Sequence, residues 1–474
     1  MTKKAFKKSM QCGLGRCILE LNETSNIEKY YDLVLWGCTH NFSYDTQSEG
    51  SRSWYMYELI KRFPKKTAFL EAICQCFEKS TPYQYWKFHH FCSLLVLFAI
   101  DGSQLAENTL WKVYQELYQT LYHRKRAPRT SFEEAENFEC LCIELIGLEG
   151  QCGDIWLKIV EDIGNLYLHS PIFKNWFYTF EWFDDHCKQL YGKRHIKKIL
   201  KNKAEKSPAI ERYMVQSEQF QEEQADSFRR YQECQKPEPQ SAIEIYQFLK
   251  ERVEKNPGTY FQARRFINNG KISELKQLNQ MYMKEKNLEL RQKLLWIFAC
   301  KKCAFLLDPE TVVNDTKSEN KVLSDTAFYA LQYICHEKVR NYALELMKKG
   351  GDNEKIIYIL ASNYRKEDRD IFVDMVKSIP VVYHGDTVWH GVFSTVLDMF
   401  ENSSVKNPPK ELLLYMYENT QCSCCRSYIV TQMGRRRMLT EDIITECLYD
   451  CNEDIRSYAK KKKRKLHSCL STDL

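Results

Sequence analysis

Apolar residues recur three and four positions apart along almost the whole chain, the spacing that gathers them on one face of an α-helix. Phe69, Ile73 and Phe77 share one such face, and Leu110, Val113, Tyr114, Leu117 and Leu121 share another. Further on, Leu323, Ala327, Ala330, Leu331 and Ile334 form a stripe, and Val339, Ala343, Leu346 and Met347 form the next. Only Cys335 to Lys338 lie between those two, so the pattern predicts an antiparallel helical hairpin with a short turn. It returns near the end. Ile443, Ile444, Cys447 and Leu448 make one face, Asp450 to Glu453 make a turn, and Ile455, Tyr458 and Ala459 begin the next helix. With 17 Gly and 12 Pro in 474 residues, the chain lacks the turn residues that a sandwich or barrel needs about every ten positions. An all-α fold is expected.

Two of these second helices share an order of residue types. Glu337 to Met347 reads EKVRNYALELM and Glu453 to Lys461 reads EDIRSYAKK: an acid, a β-branched residue, Arg, two spacers and Ala. This resembles the start of the second helix of a HEAT repeat. The resemblance implies that the branched residue and Ala face the packed layer, that Ala lets helices approach, and that Arg reaches the turn of a neighbouring repeat. Arg340 and Arg456 take equivalent places, with weaker echoes at Arg291 in LELRQKLLWIF and Arg426 in CCRSYIV. The four arginines are 49, 86 and 30 residues apart, where a regular array repeats every ~40 to 47. The expected fold is therefore an α-solenoid of irregular HEAT-like helical hairpins arranged in two lobes.

Composition shifts suggest the divisions. Lys193 to Lys206 holds seven basic residues and one acid, and a polar Gln/Glu-rich stretch and KPEPQ follow Pro208. The expected parts are an N-terminal helical lobe at 1–192, a charged helical linker at 193–240, a HEAT-like lobe at 241–459 and a basic C-terminal tail at 460–474. The formal net charge is +6, and the unbroken basic run Lys460 to Lys465 accounts for all of it. The longest apolar run, Leu94 to Ile100, is too short for a membrane span. A broken apolar stretch after the basic N-terminus argues against a secretion signal. A cytoplasmic protein is expected, its 20 cysteines serving mostly as small buried residues.

Few residues suggest chemistry. Asp45, Gln47, Glu49 and Arg52 crowd around Gly50 with His40 nearby, ahead of a helix that Ser51 is placed to cap. They read as a ligand-binding loop, or as turn residues satisfying helix ends and one another. Cys422 with Cys425, and Cys447 with Cys451, have a spacing that resembles a four-cysteine zinc site, although thiols at helix ends more often pack as core. His89, His90 and Cys92 lie in an apolar helix and read as core or capping groups, and the box containing Trp176, Trp182, Asp184 and Asp185 reads as an aromatic core stripe. Arg435, Arg436 and Arg437, together with Lys461, Lys462 and Lys463, are suited to neutralising phosphates or to a solvated surface. Phosphate-loop and dinucleotide-binding patterns are absent, and no cofactor is expected. The expected function is a non-catalytic scaffold or adaptor that holds a protein partner on a solenoid surface. Nucleic-acid binding through the basic C-terminal region is the alternative, and an enzyme with a site near Asp45, Glu49 and Arg52 is a third reading.

Overall fold

The computed structural model describes residues 1–80, 84–125, 133–148, 154–175, 180–233, 241–251, 266, 270–300, 303–381, 388–402 and 405–470. Among these the secondary structure is helical throughout, with no strand. No helix among them is long and apolar enough to cross a membrane. Trp176 lies outside the described residues.

The stripes read from the sequence are the buried faces. Phe69, Ile73 and Phe77 are buried on helix Lys66–Glu78, as are Leu110, Val113, Tyr114 and Leu121 on Gln104–His123. Helices Lys321–Leu331 and Glu337–Lys348 follow one another across a short turn, with Leu323, Ala327, Ala330, Leu331, Val339 and Ala343 buried. His336 closes that turn by accepting a hydrogen bond from Lys338 N on its own side chain, filling the place of the usual short polar cap.

The chain forms two compact units. The first comprises Met1–Glu233, Gln421–Ser427 and Leu439–Leu474, and the second Cys234–Thr420 and Tyr428–Met438. This grouping runs otherwise than the divisions at 192, 240 and 459 drawn from composition. Helix Pro208–Glu233 lies along Ile155–His169, and Lys193–Ala204 packs on Pro208–Glu233, so the charged stretch belongs to the first unit. Gly164 permits the first of these crossings, because a methyl group there would overlap Ala209 O. The residues from 460 onward continue helix Glu453–Leu470 as far as 470.

In the second unit the helices pack mainly on near neighbours in sequence. Leu288–Phe298 packs on Lys321–Leu331, Pro309–Asp315 on Glu337–Lys348, and Lys321–Leu331 and Glu337–Lys348 on Asn353–Asn363. The last of these packs in turn on Val388–Glu401. Arginines from these second helices reach forward to an aspartate 24 to 28 residues later. Arg291 Nε lies 3.0 Å from both oxygens of Asp315, and its Nη1 donates to Tyr282 O at 2.9 Å. Arg340 donates from Nε (3.1 Å) and Nη2 (2.5 Å) to the two oxygens of Asp368. In the first unit, Arg426 forms the corresponding fork with Asp450.

Candidate functional site

The segment around Gly50 folds into capping interactions. Asp45 is the N-cap of a four-residue helix, Thr46–Glu49, and its carboxylate accepts from Gln47 N (3.0 Å), Ser48 N (3.4 Å) and Ser48 Oγ (2.7 Å). Glu49 returns the favour of a capping partner by accepting from Asp45 N at 3.2 Å, and its other oxygen lies 3.2 Å from Arg52 Nη2. Arg52 also donates to Gln11 O and, at 2.7 Å, to Gln421 O, with its guanidinium 5.2 Å from the Phe42 ring centroid. Asp45, Glu49 and Arg52 are thus brought together, whereas Gln47 is exposed. His40 stacks on Trp36 one helical turn before it. Ser51 does not cap the following helix. Its hydroxyl donates to Ser53 Oγ at 2.9 Å, and Ser53–Ile60 starts without a side-chain cap.

A second buried guanidinium stands beside this one. Arg426 Nε and Nη2 donate to Asp450 Oδ2 and Oδ1 at 2.8 and 2.9 Å, with both side chains 0% exposed. Burial works against the charge on Arg426, and the Asp450 carboxylate more than offsets it, so its pKa is raised. Arg426 Nη2 is also 3.2 Å from Cys451 Sγ. Burial pushes the Cys451 thiol up to about 11 even though Arg52 and Arg426 both favour its thiolate. Arg456 completes the cluster, donating to Asp450 O (2.8 Å) and Cys451 O (2.9 Å) while its guanidinium lies 3.6 Å from the Trp54 ring centroid.

Two glycines near the N-terminus admit this assembly. Gly13, at φ +73°, accepts from Cys451 N at 2.9 Å, and a side chain on it would overlap Cys451 Sγ. A side chain on Gly15 would overlap Glu446 O, next to the Arg16–Glu446 ion pair at 2.9 Å. Glu49 and Asp450 each accept charge-assisted bonds from a buried arginine, so the chemistry of the cluster is the locking of charge at a junction of helices.

Of the four thiols read as a zinc candidate, Cys422 and Cys425 adjoin each other, whereas Cys451 lies elsewhere. Cys425 N donates to Cys422 Sγ at 3.4 Å, and Cys422 together with burial pushes the Cys425 thiol up. Cys451 sits among the arginines, and among the described residues neither Cys447 nor Cys451 joins Cys422 and Cys425 in a cluster of metal-holding geometry. His90 and Cys92 are buried core residues, while Trp182 is exposed and Asp184 accepts from Tyr213 and Ser217.

The basic candidates differ among themselves. Arg435 and Arg437 are exposed, but Arg436 donates to Phe400 O at 2.7 Å and lies over the Phe400 ring, where burial lowers its pKa. Lys461 is exposed, and Lys462 Nζ is 5.3 Å from the Tyr458 ring centroid on the same helix, with Lys463 partly buried beside it. The residues that sequence reasoning missed are Asp315, Asp368 and Asp450, the partners of Arg291, Arg340 and Arg426, and Gly13, Gly15 and Trp54. No protein-family model matches the chain, and no curated protein matches it either.

Proposed function

We propose that this protein is a non-catalytic scaffold or adaptor, built as an irregular HEAT-like solenoid, that holds a protein partner. The observation that carries the reading is the recurrent Arg–Asp fork. An arginine at one position of a second helix bonds an aspartate 24 to 28 residues later in Arg291–Asp315, Arg340–Asp368 and Arg426–Asp450. A recurring link of this kind suits a stack in which each hairpin contacts its neighbours, and stacks of this kind offer long surfaces to other macromolecules.

The second unit also leaves large side chains outward. Val322 and Tyr329 are seven residues apart on one helix and 62% and 43% exposed, and Tyr329 meets Tyr333 edge to face. Aromatic groups held outside the core are the usual anchors of a protein interface. Affinity capture from the native host, with and without nuclease at moderate salt, tests the reading. A defined protein partner that survives nuclease and is lost from a Val322→Ser, Tyr329→Ala variant is the expected result. Recovery of nucleic acid, with partners lost on digestion, sinks it in favour of binding through Arg435, Arg437 and the Lys461 to Lys463 region.

A further inference from the structure

The turn that opens helix Ser423–Arg435 is held from both sides by buried arginines of the first unit. Arg52 donates to Gln421 O at 2.7 Å, and Arg426, whose backbone N donates to Cys422 O at 3.0 Å, is forked onto Asp450. Asn452 Nδ2 adds a bond to Ser423 O at 3.4 Å. A turn anchored in this way holds its side chains in a fixed geometry, as a ligand site requires.

Three of the four residues from Cys422 to Cys425 are cysteines, and two of them converge. Cys422 Sγ and Cys425 Sγ lie within 4.8 Å of one another. Two sulfurs bound to one ion at ~2.3 Å each are at most about 4.6 Å apart, so the pair needs little movement to chelate. Cys425 N donates to Cys422 Sγ at 3.4 Å. Such a bond, in the first turn of a 13-residue helix, favours thiolate over thiol. Cys424 has a different partner, its Sγ donating to Ser48 O at 4.0 Å. The groups acting on Cys425 by charge are Cys422, Cys424 and Glu49, each negative when ionised. Their repulsion opposes a second thiolate in this turn, and a cation shared by both sulfurs removes it. Cys422 is 5% exposed whereas Cys425 is partly exposed, so an ion reaches the pair from the Cys425 side.

We infer that Cys422 and Cys425 chelate a soft, thiophilic cation. Both S–H bonds break, two metal–sulfur bonds form, and two protons pass to solvent. Thiolates select copper(I) and zinc among the common ions. Two of them complete the shell of a linear copper(I) ion, whereas zinc takes four ligands. This goes beyond the scaffold reading and does not depend on it, since it requires no protein partner.

Alkylation of the full chain by iodoacetamide, in a phosphine reductant, is compared without metal, with equimolar copper(I) and with equimolar zinc. Fragment mass spectra read Cys425 apart from Cys422 and Cys424, and the exposed Cys335 serves as internal reference. Copper(I) or zinc is expected to slow Cys425 severalfold relative to Cys335. That protection should persist in Cys424→Ser and vanish in Cys422→Ser. Where Cys422→Ser melts below the parent, Cys425→Ser takes its place, with protection read at Cys422. Slowing by copper(I) alone assigns a two-coordinate ion, and slowing by zinc assigns a four-coordinate one. No slowing at Cys425, equal slowing at Cys335, or protection that survives Cys422→Ser overturns the proposal.

Discussion

At the scale of single residues, burial decides which groups titrate and which contacts are tolerated. His90 is fully buried, and burial lowers its pKa from 6.5 to about 4, with the backbone at Gly37 and Cys38 pulling partly the other way. The folded chain thus keeps this imidazole neutral where the unfolded chain protonates it. Stability is therefore fully present above pH ~6.5 and is lost as pH falls toward ~4, by on the order of 3 kcal/mol. The expected outcome is that His90→Phe flattens the pH dependence of unfolding of the first unit in that window, followed by denaturant titration at a series of pH values. An unchanged slope refutes the assignment. Gly164 poses a different contest. Alanine there gains about 0.5–1 kcal/mol of helix propensity, but its methyl group overlaps the Ala209 carbonyl, a rigid neighbour, and overpacking costs about 1–3 kcal/mol. Gly164→Ala is expected to lower the melting temperature, whereas a rise would show that the crossing with helix Pro208–Glu233 yields easily.

Between elements, the Arg–Asp forks form a graded series. Arg291–Asp315 has side chains 12% and 10% exposed, Arg340–Asp368 has 11% and 7%, and Arg426–Asp450 has 0% and 0%. Removing one partner of a fully buried pair strands a charge in the interior at a cost of about 3–5 kcal/mol. Loss of a charged hydrogen-bond partner in a partly solvated pair costs about 1–3 kcal/mol. Arg426→Ala is accordingly expected to be the most damaging of the three arginine truncations. Measured as the free energy of local opening by hydrogen exchange, it should be largely rescued in Arg426→Met, Asp450→Leu, which removes both charges. No rescue would mean that Cys451 and the surrounding backbone, and not the ion pair, hold the junction.

These elements also mark how far the sequence could be read. Helix periodicity located Lys321–Leu331 and Glu337–Lys348 because apolar spacing reports burial directly. The arginines were visible as a motif within one helix. Their aspartate partners were not, because they lie 24 to 28 residues away and no local pattern joins them. Asp45 and Glu49 were seen as a cluster, but the four-residue helix that orders them is too short for periodicity to register. In helix Pro208–Glu233, charge on the exposed face hid Ile210 and Tyr213, which are buried in the first unit.

For the molecule as a whole, the first unit draws on both the early and the late parts of the chain. Gly13 O accepts from Cys451 N, Arg16 pairs with Glu446, and Trp54 lies under Arg456. None of these contacts can form until residues separated by roughly the length of the chain have met. Their closure entropy grows only slowly with loop length, so the cost is tolerable once the contacts are buried. Removing 439–474 takes away Glu446, Asp450, Cys451 and Arg456 together and leaves Arg426 buried without its carboxylate. Hydrogen exchange of the truncated chain is expected to show lost protection in helices Lys3–Cys12, Arg16–Glu23 and Ser53–Ile60. Lys321–Leu331 and Asn353–Asn363, whose packing partners lie in the second unit, should keep theirs. Local opening energies that differ in this way mark separate cooperative units. If protection falls equally in both sets of helices, the two units do not fold as separate bodies. If it falls in neither, the N-terminal helices are held by Phe6, Tyr30 and the aromatic core around them, and the buried arginines serve only to fix which segment docks there.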